Sequence, residues 1–234
     1  MNEEAYWFDY RIELEDGQTT CFHIELDPVT LTMAPTSKGP YPPWTQLSYK
    51  QCQCCPLSPQ TELYCPVAVN ISDLVNRFKD ILSHKNCMVV CETIDRTYSK
   101  KTSAMDALTS VFGIVMATSN CPVMDFLKPM ARFHLPFSSV EETTARSTSL
   151  FLLGQYFKYK KGEVNGFDFD ELEKSYARVQ LVNEGLLARI QSLGKKDADK
   201  NAIITLHSLS QFLSLEMDFS LSTVAPLFER GSDA

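Results

Sequence analysis

The sequence has no long apolar run and lacks the short motifs of the common nucleotide-binding and zinc-protease sites. No stretch approaches the roughly 18 apolar residues that a membrane helix needs. The acidic opening MNEEAYWFDY lacks the basic-then-apolar order of a secretory signal. There is no GxGxxG, no P-loop and no HExxH. We therefore expect a cytoplasmic protein outside those enzyme classes.

A basic excess is missing as well. The formal net charge is −7 and the isoelectric point is about 5.2. Proteins that bind nucleic acid or anionic membrane usually carry a basic patch, so neither is expected as a partner. An unidentified protein or a small anionic ligand remains the expected partner.

Histidine is scarce. The four histidines, His23, His84, His134 and His207, form no recognisable pattern with a serine or cysteine nucleophile. The sequence therefore favours a binding or regulatory protein over an enzyme.

The hydrophobic content of 44% is enough for a sizeable core. Apolar residues alternate with polar ones before and after Asp16-Gly17, which predicts a β-hairpin. Its inward residues are Tyr6, Phe8, Tyr10, Ile12 and Leu14, then Phe22, Ile24 and Leu26. DPVTLTM is interpreted as a third strand, and CMVVCETI as a strand with Cys87, Val89 and Cys91 on one side. A helix capped by Asn70 or Ser72 is expected to cover this sheet.

The pattern beyond residue 100 is helical. Ser103 is expected to cap one helix that is apolar almost all round, and Ser138 or Ser139, with Glu141 or Glu142 three residues on, is expected to cap another. The second helix carries Leu150, Phe151, Leu153, Tyr156 and Phe157. Leu172, Tyr176, Val179, Asn183, Leu186, Ile190 and Leu193 follow steps of four and three residues, the seam of a helical hairpin. Its partner helix would start at Asp199 and carry Ile203, Leu206, Leu209, Leu213 and Met217, and these helices could also form a homodimer. We predict an α+β fold: an antiparallel sheet region with a cysteine-rich loop (1–100), then a bundle of about four helices (101–234) that could complete one compact domain.

The cysteines are clustered and are often followed by proline. Four of the eight cysteines lie between Cys52 and Cys65, and three cysteines (Cys55, Cys65 and Cys121) are followed by proline. Composition alone predicts about 0.4 Cys-Pro pairs. Proline keeps the preceding residue extended, so each of these thiols is presented from a rigid backbone, as suits a metal ligand.

Cys52, Cys55, Cys65 and Cys121 are therefore predicted to bind one metal ion, with Cys52 and Cys55 as a CxxC pair and His134 as a reserve ligand. Zinc is the first expectation and an iron–sulfur cluster the second, although neither a second CxxC nor ferredoxin spacing is present. The competing interpretation has no cofactor: Cys65 and Cys121 would be buried thiols beside turn prolines.

Two further hypotheses stay open at this point. Cys52 and Cys55 could form an exchangeable dithiol in a thiol redox protein or enzyme. Arg96, Arg132 and His134 could converge to hold a phosphate or carboxylate, and they would then receive the anionic substrate of that enzyme.

Several motifs occur in an order that resembles a known family. They are PPWTQL, CxxCPL at 52–57, CPVAVN, RTYSK, MATSNCPVMDFLKPMARFHLPF and SSVEETTARSTSLFLLGQYF. Together they resemble a family of uncharacterised bacterial proteins catalogued as a domain of unknown function, over roughly residues 5 to 160. The resemblance implies a bacterial source and brings no activity, cofactor or catalytic residue.

Overall fold

The structure is a computed structural model. It describes residues 5–33, 39–78, 84–164, 166, 168–193, 221–222 and 224–229. The predicted partner helix that would start at Asp199 lies outside the described residues.

The N-terminal part is a four-stranded antiparallel sheet. Its strands are β1 (Tyr6–Leu14), β2 (Thr19–Leu26), β3 (Asn86–Thr93) and β4 (Thr97–Ser103), in the order β2-β1-β3-β4. The predicted hairpin joins β1 to β2, and Gly17 turns it with a φ of 82°, a value that glycine adopts without strain.

The alternation read from the sequence is confirmed on both faces of the sheet. Phe8, Tyr10, Ile12 and Leu14 of β1 are buried, as are Phe22, Ile24 and Leu26 of β2 and Cys87, Val89 and Cys91 of β3. Cys21, His23 and Glu25 lie exposed on the other face. One face of the sheet therefore carries the core, and the other is polar.

The third strand was predicted in the wrong place. DPVTLTM forms a turn in which the Asp27 carboxylate accepts hydrogen bonds from the N–H groups of Val29 and Thr30, and only Met33 pairs back, with Leu26. Instead RTYSK contributes to β4, an edge strand whose polar residues lack apolar alternation.

Helix α1 (Pro66–Phe78) begins earlier than predicted, at Pro66 rather than after Asn70 or Ser72. Proline has no N–H to lose at the first helical position and its fixed φ already suits a helix. Cys65 precedes the helix, and its carbonyl accepts from the N–H of Val69 at 3.0 Å. The same proline therefore holds Cys65 extended and starts the helix.

Helix α2 (Ala104–Ala117) lies at the centre of the fold, as its all-round apolar sequence predicts. The Ser103 side chain caps it by accepting from the N–H of Asp106. It contacts β1, β3, β4 and α1. A single core cluster includes residues of the sheet, of α1, of α2 and of the later helices.

Helix α3 (Lys128–Arg132) is short and leads to α4 (Val140–Lys160), which opens with the predicted capping box of Ser139 and Glu142. The buried face of α4 is formed by small and polar residues: Thr143, Thr144, Ser147, Thr148 and Gln155. Leu153, Tyr156 and Phe157 are 46–56% exposed. Hydroxyl groups bonded to the preceding turn, such as Thr148 to the carbonyl of Thr144, let this polar face be buried.

Helix α5 (Asp170–Gln191) buries the predicted seam, including Asn183 at 1% exposure. Val179, Val182, Leu186 and Ile190 join the main core, and Leu172 and Tyr176 form a second cluster near Phe126. The seam therefore packs on its own domain. None of the described helices is long and apolar enough to cross a membrane.

Candidate functional site

The cysteine-rich loop runs antiparallel along α5. Four contacts follow one another along the loop and the helix. Cys54 Sγ donates to the carbonyl of Arg178 at 3.4 Å, and Cys52 lies against Gly185. Lys50 Nζ donates to the carbonyl of Ala188 at 2.9 Å, and the Tyr49 hydroxyl donates to Ser192 Oγ at 2.8 Å. Inside the loop, the N–H of Cys55 donates to the carbonyl of Cys52 at 3.1 Å and closes the CxxC turn. Helix α5 therefore fixes the position of the CxxC pair.

Gly185 allows this close approach. A Cβ atom placed on Gly185 would lie 3.0 Å from the Cβ of Cys52 and 3.4 Å from its Cα. These distances are shorter than ordinary van der Waals contact, so a larger residue would push the loop away from the helix.

Cys65 lies at the start of α1 and is 8% exposed. Burial raises the pKa of its thiol, while hydrogen bonding from the backbone N–H groups of Ala68 and Val67 opposes this rise. These are the N–H groups that a side chain caps at a helix start, and the helix dipole favours negative charge at the same place. The Cys65 sulfur therefore takes the position of an N-cap acceptor.

Cys121 repeats this arrangement in the turn after α2, where the chain again reads Cys-Pro-Val. Cys121 is 5% exposed, and its carbonyl accepts from the N–H of Met124 at 2.9 Å. Burial raises the pKa of its thiol to about 11, and the backbone N–H groups of Val123 and Met124 act in the opposite direction. Each of the two Cys-Pro-Val turns thus directs two backbone donors at a buried sulfur.

The predicted ligands affect one another's pKa. Burial, then the neighbouring Cys55, Cys65, Cys54 and Cys121, raise the pKa of Cys52 to about 12. Cys65 and Cys55 likewise contribute to the raised pKa of Cys121. Within the described ranges, however, no three His, Cys, Asp or Glu side chains are arranged as a ready set of metal ligands. The thiols therefore influence one another's pKa, but among the described residues they do not form a coordination shell.

The other cysteines lie elsewhere or at the margin of this cluster. Cys87 and Cys91 are buried in the core under the sheet, as the sequence predicts, and Cys21 is exposed on the polar face. Cys54 is partly buried beside Cys52 and is bonded to the backbone of α5. It is a fifth thiol next to the four predicted ligands.

Arg189 of α5 is a buried charged group whose pKa is affected by thiols of this site. It is 2% exposed and donates to the carbonyls of Trp44 at 2.6 Å, Gln46 at 2.8 Å and Leu47 at 3.2 Å. Burial lowers its pKa, whereas the thiols of Cys65, Cys52 and Cys55 act to raise it. Three of the four thiols therefore act electrostatically on this buried guanidinium.

The residues of the predicted anion site have other contacts. Arg132 hydrogen-bonds the Tyr6 hydroxyl and stacks on that ring, with its guanidinium carbon 3.2 Å from the ring centroid. Arg96 lies in the turn between β3 and β4, where its carbonyl accepts from the N–H of Thr93 at 2.9 Å.

His134 is partly exposed as a residue, but its ring is enclosed by Phe8 and Tyr10, and its Nε2 lies 2.5 Å from the Tyr10 hydroxyl. Burial, helped by the charge of Arg146, lowers the pKa of His134 to about 3. At neutral pH the His134 ring therefore carries no charge. An anion site shared by these residues stays a prediction, and its positive charge would come from Arg96 and Arg132. The hydrogen bond between His134 Nε2 and the Tyr10 hydroxyl also competes with the use of this nitrogen as a reserve metal ligand.

The polar face of the sheet has a shallow depression of about 450 Å³, lined in part by Asp9, Arg11, His23 and Glu92. The Asp9 carboxylate pairs with His23 Nδ1 at 2.7 Å, which raises the pKa of His23. The charges of this face are thus partly used in pairing with one another.

Sequence reasoning missed Gly185 and Arg189. The available signals were a glycine inside a long helix and an arginine beside the apolar seam residue Ile190. Both residues are more than 100 positions away from the CxxC pair, so only tertiary packing reveals that they belong to the site.

The comparison with curated proteins and the comparison with solved structures gave no match. The comparison with protein families matches residues 8–229 to one family. This match extends the resemblance seen up to about residue 160 through α5 and the short helix Pro226–Glu229. The chain belongs to the family described as Domain of unknown function (DUF6901).

Proposed function

We propose that the protein binds a metal ion, with zinc preferred, through Cys52, Cys55, Cys65 and Cys121. The ion would join the cysteine loop to the start of α1 and to the turn after α2, and it would serve a binding or regulatory protein rather than an enzyme. The observation that supports the proposal is that thiols from three separate chain segments, Cys52 with Cys55, then Cys65 and Cys121, contribute to one another's raised pKa.

The donor set fits a thiolate-bound metal. Zinc in structural sites is held by four ligands in a tetrahedron, and four cysteines are a common set. Backbone N–H groups aimed at Cys65 and Cys121 would stabilise thiolates and orient them, as outer contacts of metal ligands do. The same set of thiols would also suit an iron–sulfur cluster.

The dithiol redox hypothesis has less support. A reactive cysteine needs a thiolate at neutral pH, which requires a lowered pKa. The pKa of Cys52 is instead raised to about 12, mainly by burial. Without a metal this thiol stays protonated and is a poor nucleophile, whereas a metal ion would supply the charge that removes its proton.

Metal analysis and an absorption spectrum of freshly purified, reduced full-length protein test the proposal. We expect about one zinc per chain, or the visible absorption of a cluster in its place. Cys65→Ser and Cys121→Ser should lose the metal. Cys87→Ser is the matched control, because Cys87 is also buried and is part of the core under the sheet.

Two results would contradict the proposal. One is a wild-type protein that contains no metal and takes up neither zinc nor cobalt when reduced. The other is a Cys65→Ser variant that binds zinc as tightly as the wild type and the Cys87→Ser control do.

A further inference from the structure

Arg189 is a buried cation whose hydrogen-bond partners are neutral. Its three bonds go to backbone carbonyls. The ion pairs found among the described residues do not include Arg189. A buried charge is costly unless an opposite charge compensates it. This position therefore calls for an anion near the guanidinium.

Backbone contacts link Arg189 to the segments that position two of the proposed ligands. Thr45, which lies between the carbonyls of Trp44 and Gln46 that Arg189 binds, accepts the N–H of Cys65 at 2.8 Å. Gly185, one turn before Arg189 on α5, lies against Cys52. The segment that Arg189 binds is thus the segment that positions Cys65, and its own helix positions Cys52.

We propose that Arg189 is the counter-ion of an anionic, thiolate-bound metal centre, and this inference rests on the proposed function. A divalent ion with four thiolates carries a charge of 2 − 4 = −2, and the guanidinium reduces it to −1. Among the described residues the ion pairs do not include Arg189 and its printed hydrogen bonds go to backbone carbonyls, so an anionic centre would supply the opposite charge. Arg189 would therefore favour the loaded state, and metal binding would strengthen the existing contact between α5 and the loop that includes Trp44 and Cys52.

The ligand class follows from this charge. The centre should prefer divalent ions that accept thiolates, such as zinc and cobalt, to oxygen-seeking ions such as magnesium. Arg189 would act through the thiolates and would not touch the metal, so it is a positioning residue.

The test compares Arg189→Met, Arg189→Lys and the control Arg178→Met in the full chain, with zinc affinity measured by competition against a chromophoric chelator. Arg178 is an exposed arginine of the same helix, and its backbone carbonyl contacts Cys54. We expect Arg189→Met to weaken zinc binding by about 10- to 100-fold, the usual effect of removing a group that supports metal ligands. Arg189→Lys, which keeps the charge, should recover most of this loss, and Arg178→Met should match the wild type.

A second readout separates the charge from a merely structural role. The sulfur-to-cobalt charge-transfer bands should form at a higher cobalt concentration in Arg189→Met and near the wild-type concentration in Arg189→Lys. A variant that melts at a lower temperature but keeps wild-type zinc and cobalt affinity would overturn the counter-ion role. If Arg189→Met does not fold, Arg189→Lys decides alone: affinity near the wild type supports the proposal, and a 10- to 100-fold loss overturns it. A wild-type protein that binds neither ion refutes the proposed function itself.

Discussion

Gly185→Ala is the change that tests the packing of the candidate site most directly. Alanine is a better helix former than glycine by about 1 kcal/mol. At Gly185, however, the new Cβ would lie 3.0 Å from the Cβ of Cys52. Overpacking of this kind costs about 1–3 kcal/mol. We expect a net effect between no change and a loss of about 2 kcal/mol, together with weaker metal binding, because the displaced residue is a proposed ligand.

Gly154→Ala provides the matched control, since Gly154 lies exposed in α4 and a Cβ there would meet nothing within 4 Å. This variant should gain the full helix-propensity term of about 1 kcal/mol and leave metal binding unchanged. Urea unfolding of the wild type and both variants gives the comparison, and chelator competition gives the metal affinity. The two alanine variants should differ by about 1–3 kcal/mol. Equal stabilisation by both would show that Cys52 does not lie against α5.

Three further predictions concern other parts of the molecule. The pKa of His134 is depressed to about 3 in the folded protein, so its contribution to stability is complete above the unfolded pKa near 6.5 and falls as the pH drops towards 3. From pH 8 to pH 5 the free energy of unfolding should therefore fall by about 2 kcal/mol more in the wild type than in His134→Asn. Equal pH dependence of the two proteins in urea unfolding would contradict this. Ser139→Ala removes the capping box of α4 and should cost about 1 kcal/mol in thermal unfolding, whereas the exposed Ser149→Ala should change stability little. Removing the metal with a chelator should speed hydrogen exchange in the cysteine loop and α5 and leave β1 and β3 protected, and uniform loss of protection would show that no local role exists.

The sheet and the helix caps were predictable because their signals are local. Alternation in β1 and β2 needs only one strand and one buried face, and Ser139 and Glu142 cap α4 with groups three residues apart. β4 was missed because it is a polar edge strand. The start of α1 was missed because proline was interpreted only as a constraint on Cys65, although it also opens helices.

The candidate site, like the fold, was predictable from the sequence only in part. The excess of Cys-Pro pairs pointed to Cys55, Cys65 and Cys121, and each of these thiols contributes to the raised pKa of Cys52. The proposed supporting residues gave only weak signals. Arg189 depends on carbonyls about 140 positions earlier in the chain, at Trp44, Gln46 and Leu47. Nothing in the residues around Arg189 indicates that these carbonyls would be its partners.

The position of the thiol cluster explains why a metal would matter in a protein with a sufficient apolar core. Ile12, Leu26 and Val89 of the sheet and Leu108 and Phe112 of α2 are almost completely buried and need no ion to hold them together. The links of the cysteine loop to α5 through Lys50 and Tyr49 are exposed hydrogen bonds, which contribute little to stability in water. An ion held by Cys52, Cys55, Cys65 and Cys121 would tie this loop to the start of α1 and the end of α2. Because the proposed centre would supply the opposite charge that Arg189 lacks among the described residues, loading of the ion would strengthen the existing contact between the cysteine loop and α5.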